Sequence, residues 1–238
     1  MTATVVIGAG PGLGLSIAHR FGREGHAIAL VSRNGARHPG YLASLASAGI
    51  EATSHPADVR DRDALLGALA EITARHGAID VVYYGPGAAD PAARPPSITE
   101  TDVPAAQEAM SWVYPAIDTV GAVLPGMLER GRGGLIFAGG LSSVVPMPLI
   151  GSLAIAAAAL RNYAITLHAA LADQGVYAGT LTIGGLIERG DIHRMVLEEA
   201  DRLGGMTVGT LDPDDLADTA WDLHTKRETA EATFNVLT

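Results

Sequence analysis

Hydrophobic positions along the chain follow two periods, one typical of buried strands and one of helices. Short apolar or β-branched runs stand at 4–7, 27–31, 50–54, 79–84, 134–138 and 178–183. Longer segments rich in alanine and leucine separate these runs. In Asp61 to His76, for example, Leu65, Leu69 and Ile72 recur at helical spacing, and Gly77 ends the segment. This alternation predicts a parallel sheet with helices on both of its faces.

A glycine-rich turn joins the first predicted strand to the first predicted helix. Gly8, Gly10, Gly12 and Gly14 follow the strand at 4–7 directly. Glycine lets the backbone approach a phosphate closely, and a helix N-terminus offers unpaired N–H groups with partial positive charge. The second strand completes the strand-turn-helix-strand context of a dinucleotide site. We therefore predict a nucleotide cofactor here, the alternative being a plain structural turn.

The fold predicted from these elements is a single α/β domain over residues 1–238. We expect a Rossmann-type, doubly wound parallel sheet in three αβα layers. Pro91 to Pro104 is predicted as a surface connection before one helix from Ala105 to Leu128. Residues 187–210 form the least regular region and follow a late strand. Because ligands bind beyond the carboxyl ends of such strands, this region is either a substrate lid or an ordinary loop.

The end of the second strand bears on which cofactor binds. A cofactor without a 2′-phosphate usually meets Asp or Glu there, whereas this chain has Ser32, Arg33 and Asn34, with Arg37 nearby. A guanidinium suits a phosphate. The residues favour NADP(H), the alternative being that Arg33 is an ordinary solvated arginine.

Composition narrows the compartment and the partners. The chain has 238 residues, 48% of them hydrophobic and 18% charged, and a net charge of −10. This charge argues against nucleic acid or an anionic membrane as a partner. We expect no membrane-spanning stretch and no signal peptide, and hence a cytoplasmic protein. No cysteine is present and the eight histidines lack a metal-binding spacing, so no metal site is predicted.

With Gly8, Gly12 and Gly14, then Arg33, then Asp58-Val59, the chain resembles the short-chain dehydrogenase/reductase family over essentially its whole length. Later landmarks also agree in order. They are Leu124 to Met127, Val145 to Pro148, a helix from Ala154 to Leu171, Gly184, and Asp212 to Asp215.

The resemblance implies a set of cofactor contacts. It implies that Asp58 accepts a hydrogen bond from the adenine amine with the Val59 backbone alongside, although Asp58 alone is also compatible with a helix N-terminal role. It also implies a small-molecule substrate and a homodimer or homotetramer formed through the long helices. The implied cofactor-binding residues are Gly8, Gly10, Gly12, Leu13, Gly14, Ser32, Arg33, Asn34, Asp58, Val59, Gly85, Gly184 and Leu186.

The departures from the family pattern concern its chemistry. The family's usual Tyr, Lys, Ser and Asn fall on Leu153, Ala157, Gly140 and Trp112 in this sequence. None of these four side chains can supply the proton that carbonyl reduction needs. The Thr that commonly holds the carboxamide reads Glu188. The nicotinamide half of the implied site therefore differs from the family pattern.

Four other residues are candidates for the lost chemistry. Tyr84 ends the fourth strand, and period-two geometry points it to the face opposite Tyr83. Ser142 follows the Gly139-Gly140 turn, together with Ser143, and hydroxyls there can instead cap the loop. Glu188 and His193 form an acid/base pair in the predicted lid, or belong to a solvated charged surface.

Three functions are compatible with these residues. The first is an atypical NADP(H)-dependent oxidoreductase in which water or Tyr84 supplies the proton. The second is a non-redox isomerase, dehydratase or cyclase that uses the same pocket. The third is a noncatalytic nucleotide sensor or a subunit that pairs with an active relative.

Overall fold

The computed structural model describes residues 2–87, 95–198 and 209–237. Seven parallel strands form one sheet in the order β3-β2-β1-β4-β5-β6-β9, and β7 and β8 form a separate parallel pair. The strands are β1 (Ala3–Ile7), β2 (Ala27–Ser32), β3 (Ala52–Pro56), β4 (Val81–Tyr84), β5 (Gly133–Gly140), β6 (Val176–Gly184), β7 (Leu186–Ile187), β8 (Thr210–Leu211) and β9 (Glu231–Asn235). The order reverses between β1 and β4, which is the arrangement of a doubly wound sheet.

Helices cover both faces of the sheet, so the predicted three-layer fold and single domain are confirmed. One apolar cluster joins the sheet to α1, α2 and α8, and the other joins it to α3, α4, α5 and α6. The helices are α1 (Leu13–Arg23), α2 (His38–Ser47), α3 (Arg62–His76), α4 (Val103–Met110), α5 (Tyr114–Glu129), α6 (Gly151–Leu171), α7 (Asp191–Glu198) and α8 (Pro213–Lys226).

The single helix predicted from Ala105 to Leu128 is wrong. The chain forms α4 and α5 instead, with a turn at 111–113 between them. Pro115 in the first turn of α5 favours this break, because it has no N–H to donate and its ring crowds the carbonyl of the residue four positions earlier. The ends of α3 match the sequence, since the Asp61 carboxylate caps the N–H of Ala64 and Gly77 closes the helix at φ 79°.

β9 is an element that the hydrophobic pattern does not reveal. It adds to the edge of the sheet beside β6, and its sequence mixes charged, polar and apolar residues. A bidentate ion pair secures it, because both guanidinium contacts of Arg161 on α6 reach Glu231 at 2.6 Å. Thr182 donates to the same carboxylate.

One helical stretch, Pro148–Leu171, is long and apolar enough to cross a membrane by length and composition. The expectation that no stretch reaches this length is therefore wrong, because alanine and leucine raise its mean hydropathy to 1.4 over 18 residues. In the structure the helix lies against the sheet through Ala156, Leu160 and Ala164. A helix that covers the sheet of a folded domain can meet the same criterion of length and apolar composition.

Candidate functional site

The glycine-rich turn between β1 and α1 is as tight as the sequence predicts. The N–H groups of Gly8 and Ala9 both donate to the carbonyl of Val31, at 2.9 and 3.1 Å. Gly8 has a φ of 97°, and a Cβ there would lie 2.5 Å from the carbonyl oxygen of Gly85. A Cβ on Gly14 would lie 2.3 Å from the carbonyl oxygen of Gly8. Side chains at these two positions are therefore incompatible with the turn.

The N-terminus of α1 carries the features of a phosphate cradle. Its N-cap is Gly12, which has no side chain to cap the helix, and the first turn contains no acidic residue. Backbone bonding begins with Leu15 to Gly10 and Ser16 to Gly12. Within the described ranges no acceptor pairs with the N–H groups of Leu13 and Gly14. These donors fit a pyrophosphate, which is the group that a dinucleotide places at such a helix start.

The loop after β2 presents arginines rather than a carboxylate. Ser32 shares a hydrogen bond of 2.7 Å with buried His38, and the Asn34 side chain accepts from the N–H of Ala36. These two residues therefore shape the loop. Arg33 is exposed, and no ion pair holds it among residues 2–87, 95–198 and 209–237. Arg37 instead pairs with Asp191 at 2.7 Å.

Asp58 and Val59 lie after β3, as the resemblance implies. Val59 is buried, while the Asp58 carboxylate accepts from the N–H of Arg60 at 3.0 Å. Arg60 lies over the indole ring of Trp112 with its guanidinium 4.8 Å from the ring centre. The contact joins this loop to the turn between α4 and α5. The helix cap itself is Asp61, so Asp58 does not serve as the N-cap of α3.

Tyr84 does not reach the substrate space. Its side chain is 1% exposed, and its hydroxyl donates a 2.7 Å hydrogen bond to the carbonyl oxygen of Trp112. Burial also raises the pKa of this phenol above its ordinary value. The structure thus contradicts the proton-donor role predicted for Tyr84, because its proton is committed to a backbone carbonyl in the core. The predicted opposite orientation of Tyr83 is seen, since the two rings pack in different clusters.

Two serines follow directly after β5, at the carboxyl end of the parallel sheet. Gly140 ends β5, and Ser142 lies half-buried in the one-turn helix Leu141–Ser143. The hydroxyl of Ser143 is buried and has no hydrogen-bond partner within the described part of the chain. The role of Ser142 stays a prediction, and its hydroxyl group lies near the carboxyl end of β5.

Glu188 and His193 are not brought together as an acid/base pair. The Glu188 carboxylate accepts from the hydroxyl of Thr210 at 2.7 Å, and its N–H donates to the carbonyl of Leu211. His193 lies half-buried on α7. No hydrogen bond joins the two side chains in the described structure. Residues 199–208 of the predicted lid lie outside the described residues.

Three further implied cofactor contacts lie where parallel strands end. Gly85 follows β4 and touches Gly8, and its N–H donates to the carbonyl of Ile7. Gly184 ends β6, and Leu186 begins β7. All three positions flank the glycine-rich turn or the segment that follows β6.

A set of charged residues that the sequence did not single out as a site lies beside the glycine-rich turn. Arg189 has a φ of 64°, which is uncommon for a residue with a side chain. Its guanidinium pairs with Asp212 and Asp214, each at 2.9 Å. The partners are separated from it by more than twenty residues, so no local pattern signals these ion pairs.

A model of the short chain dehydrogenase family matches residues 2–188. The chain belongs to this family. It is 27% identical over 90% of its length to a (2S)-[(R)-hydroxy(phenyl)methyl]succinyl-CoA dehydrogenase subunit of Thauera aromatica, of which 83% is covered. It is 26% identical over 91% of its length to an NADP-dependent 3-hydroxy acid dehydrogenase of Salmonella typhi, of which 86% is covered.

Other curated relatives are matched over about half of their own length. Among solved structures, a metagenomic short-chain oxidoreductase in complex with NADP has a TM-score of 0.79 at 20% identity, with 98% of this chain and 96% of that chain covered. The L-sorbose reductase of Gluconobacter frateurii, complexed with NADPH and L-sorbose, has a TM-score of 0.81 at 20% identity, with 98% and 95% covered. At these identities the likeness concerns the fold.

Proposed function

We propose that the protein is an NADP(H)-binding oxidoreductase that acts on a small organic substrate without the Tyr/Lys pair usual in its family. The observation that carries the proposal is the start of α1, where the N–H groups of Leu13 and Gly14 have no acceptor in the described ranges and glycines form the turn beside them. An exposed Arg33 stands at the end of β2, in the place where a carboxylate would favour NAD. Three of the similar proteins described above are named with NADP or NADPH.

The proposed chemistry relies on position more than on an ionisable side chain. Bound NADPH would supply the hydride. Water would supply the proton that completes the reduction. The chain's own contribution is to orient the two reactants, which is a large part of catalysis. Because Tyr84 is committed to the core, Ser142 is the predicted hydroxyl left to hydrogen-bond a substrate carbonyl. Leu153 and Ala157 lie on α6, where the resemblance places the family's Tyr and Lys, and they would give this space an apolar wall.

A noncatalytic subunit is the second candidate. Leu153, Ala157, Gly140 and Trp112 stand where the resemblance places the four catalytic groups, and none of them ionises. The Thauera aromatica relative is itself named as a dehydrogenase subunit. In this case the cofactor site would serve binding alone, and activity would depend on a partner chain.

We also propose that the chain forms a homodimer or homotetramer. Apolar side chains on the outer sides of α5 and α6 are solvent-exposed, at 51% for Tyr114, 46% for Ile117 and 40% for Ile155. Exposed apolar groups on neighbouring long helices are a usual feature of protein-protein contacts. Sedimentation of the purified protein at several concentrations tests this association.

The test of the proposed cofactor is a calorimetric titration with NADPH and NADH. In Arg33→Ala we expect NADPH binding to weaken by about 1.5–3 kcal/mol, the value of a charge-assisted contact, and NADH binding to change little. Arg75→Ala is the matched control, because Arg75 is an exposed arginine on α3. Equal weakening of both nucleotides in Arg33→Ala would contradict the assignment.

A substrate screen then separates the two candidate functions. NADPH oxidation by the purified chain with small ketones, enones or imines supports the oxidoreductase. Selective NADPH binding without turnover, together with turnover after a partner subunit is added, supports the noncatalytic subunit.

A further inference from the structure

The segment from Leu186 to Glu198, comprising β7, the turn at 188–190 and α7, is here named the strap. It crosses the glycine-rich turn directly. A Cβ on Gly12 would lie 3.1 Å from the Cα of Gly190 and 3.2 Å from the carbonyl oxygen of Glu188. The strap therefore rests on the site where the pyrophosphate of a cofactor is proposed to bind.

One side of the strap is anchored by several contacts. β7 pairs with β8, and the N–H of Leu186 donates to the carbonyl of Gly209. Arg189 adds ion pairs to Asp212 and Asp214 at the start of α8. Backbone pairing is what makes this side resist displacement, because the two Arg189 ion pairs are exposed and add little.

Among the residues that the structure describes, the other side of the strap has one ionic tether to the loop after β2. Arg37 reaches Asp191, the first residue of α7, with guanidinium contacts of 2.7 and 2.9 Å. The two side chains are 51% and 43% exposed, so the pair is weak and open to competition. Hydrogen bonding to Asp191 raises the pKa of Arg37, which keeps the guanidinium charged.

If this tether breaks, the Asp191 carboxylate is not left without a cationic partner. Asp191 also pairs with Arg194 on the next turn of α7. If Arg37 turns away, Asp191 keeps a cationic partner, and only Arg37 needs a new anion. Arg37 and Arg33 belong to the same five-residue loop between β2 and α2. The anion that this loop is proposed to meet is the 2′-phosphate of NADP(H).

We propose that Arg37 is a specificity-determining residue that exchanges Asp191 for the 2′-phosphate when NADP(H) binds, and that this exchange releases the α7 end of the strap. Release occurs at Arg189 and Gly190, the positive-φ residue and the glycine that separate the anchored side from α7. The inference rests on the proposed cofactor. It predicts that a nucleotide lacking the 2′-phosphate leaves the tether in place.

The first test is a double-mutant cycle in which the affinity for NADPH and NADH is measured for each variant. In Asp191→Asn, Arg37 is free for the phosphate, so NADPH should bind about two- to fivefold more tightly, which is the range that a surface ion pair spans. NADH affinity should be unchanged. In Arg37→Ala the additional Asp191→Asn change should have no effect, because Asp191 acts through Arg37. Asp222→Asn, which breaks an exposed pair with Lys226 on α8, controls for the lost negative charge.

The second test is hydrogen exchange in α7 without nucleotide and with adenosine 2′,5′-bisphosphate or ADP. We expect faster exchange of the α7 amides in Asp191→Asn than in Asp222→Asn. In the wild-type chain, the bisphosphate should accelerate exchange and ADP should not.

The outcomes separate this inference from the proposed function. Selective NADPH binding in the wild type, with equal effects of Asp191→Asn and Asp222→Asn, overturns the tether and leaves the proposed cofactor intact. If the gain in NADPH affinity from Asp191→Asn persists in the Arg37→Ala background, it comes from lost repulsion between the carboxylate and the nucleotide. This result also overturns the tether. No binding of either nucleotide to the wild type overturns the cofactor proposal and, with it, the exchange of partners by Arg37.

Discussion

Tyr84→Phe distinguishes a structural tyrosine from a catalytic one. The change removes one hydroxyl and leaves the ring in the cluster that it shares with Phe137. It also leaves the carbonyl of Trp112 without its donor, at the turn between α4 and α5. Losing this hydrogen bond and leaving the carbonyl oxygen without a donor together lower the free energy of unfolding by about 1–3 kcal/mol. For a chain of this length, that corresponds to a fall of about 2–12 °C in the melting temperature.

The assay is urea unfolding followed by tryptophan fluorescence, with NADPH affinity measured on the same samples. We expect lower stability and no specific loss of nucleotide binding. Tyr177→Phe is the matched control. It removes the same kind of hydrogen bond, from the Tyr177 hydroxyl to the carbonyl of Thr229, away from the turn between α4 and α5. Tyr114→Phe, at a half-exposed ring, should be neutral. Unchanged stability of Tyr84→Phe with loss of all turnover would refute the structural role and restore Tyr84 as a proton donor.

Three further predictions concern other parts of the molecule. Gly14→Ala should abolish nucleotide binding in calorimetry and impair folding, because its Cβ would clash with the carbonyl oxygen of Gly8. Gly10→Ala, whose nearest atom is at 3.9 Å, should keep the fold in circular dichroism. Burial first, then nearby cations, lowers the pKa of His224 to about 4, so only the unfolded state gains this proton between pH 6.5 and about 4. Stability should fall with falling pH across that window, and His224→Gln should flatten the slope measured by urea unfolding by up to one proton; an unaltered slope contradicts this. Leu153→Tyr combined with Ala157→Lys should fold, since both sites are half-buried, and should increase NADPH-dependent ketone reduction only as a pair; equal gains from either single change contradict the positional match.

The elements that were predicted correctly have signals that are local in the sequence. β1 and β2 are apolar runs bounded by turns, and the glycine-rich turn is a contiguous motif. Asp61 and Gly77 are likewise ordinary start and stop residues. Periodicity and capping depend on neighbours within a few positions, so they can be recognised without tertiary structure.

The elements that were missed depend on partners far apart in the sequence. β9 is secured by Arg161, which is 70 residues from Glu231. The Tyr84 hydroxyl finds its acceptor 28 residues away. Arg37 and Asp191 are separated by 154 residues. Each of these side chains has several plausible roles in the sequence, and only the packing of the sheet selects one.

The turn between α4 and α5 is held by groups other than the side chain at position 112. It is set by Pro115, which interrupts the helix, and by Tyr84, which satisfies the Trp112 carbonyl from within the core. Both are independent of the side chain at position 112, where the indole adds a contact of its own with Arg60. The side chain at this position can therefore change with little effect on the course of the backbone. Family membership thus fixes the frame of this site, and the groups on that frame decide whether hydride transfer occurs.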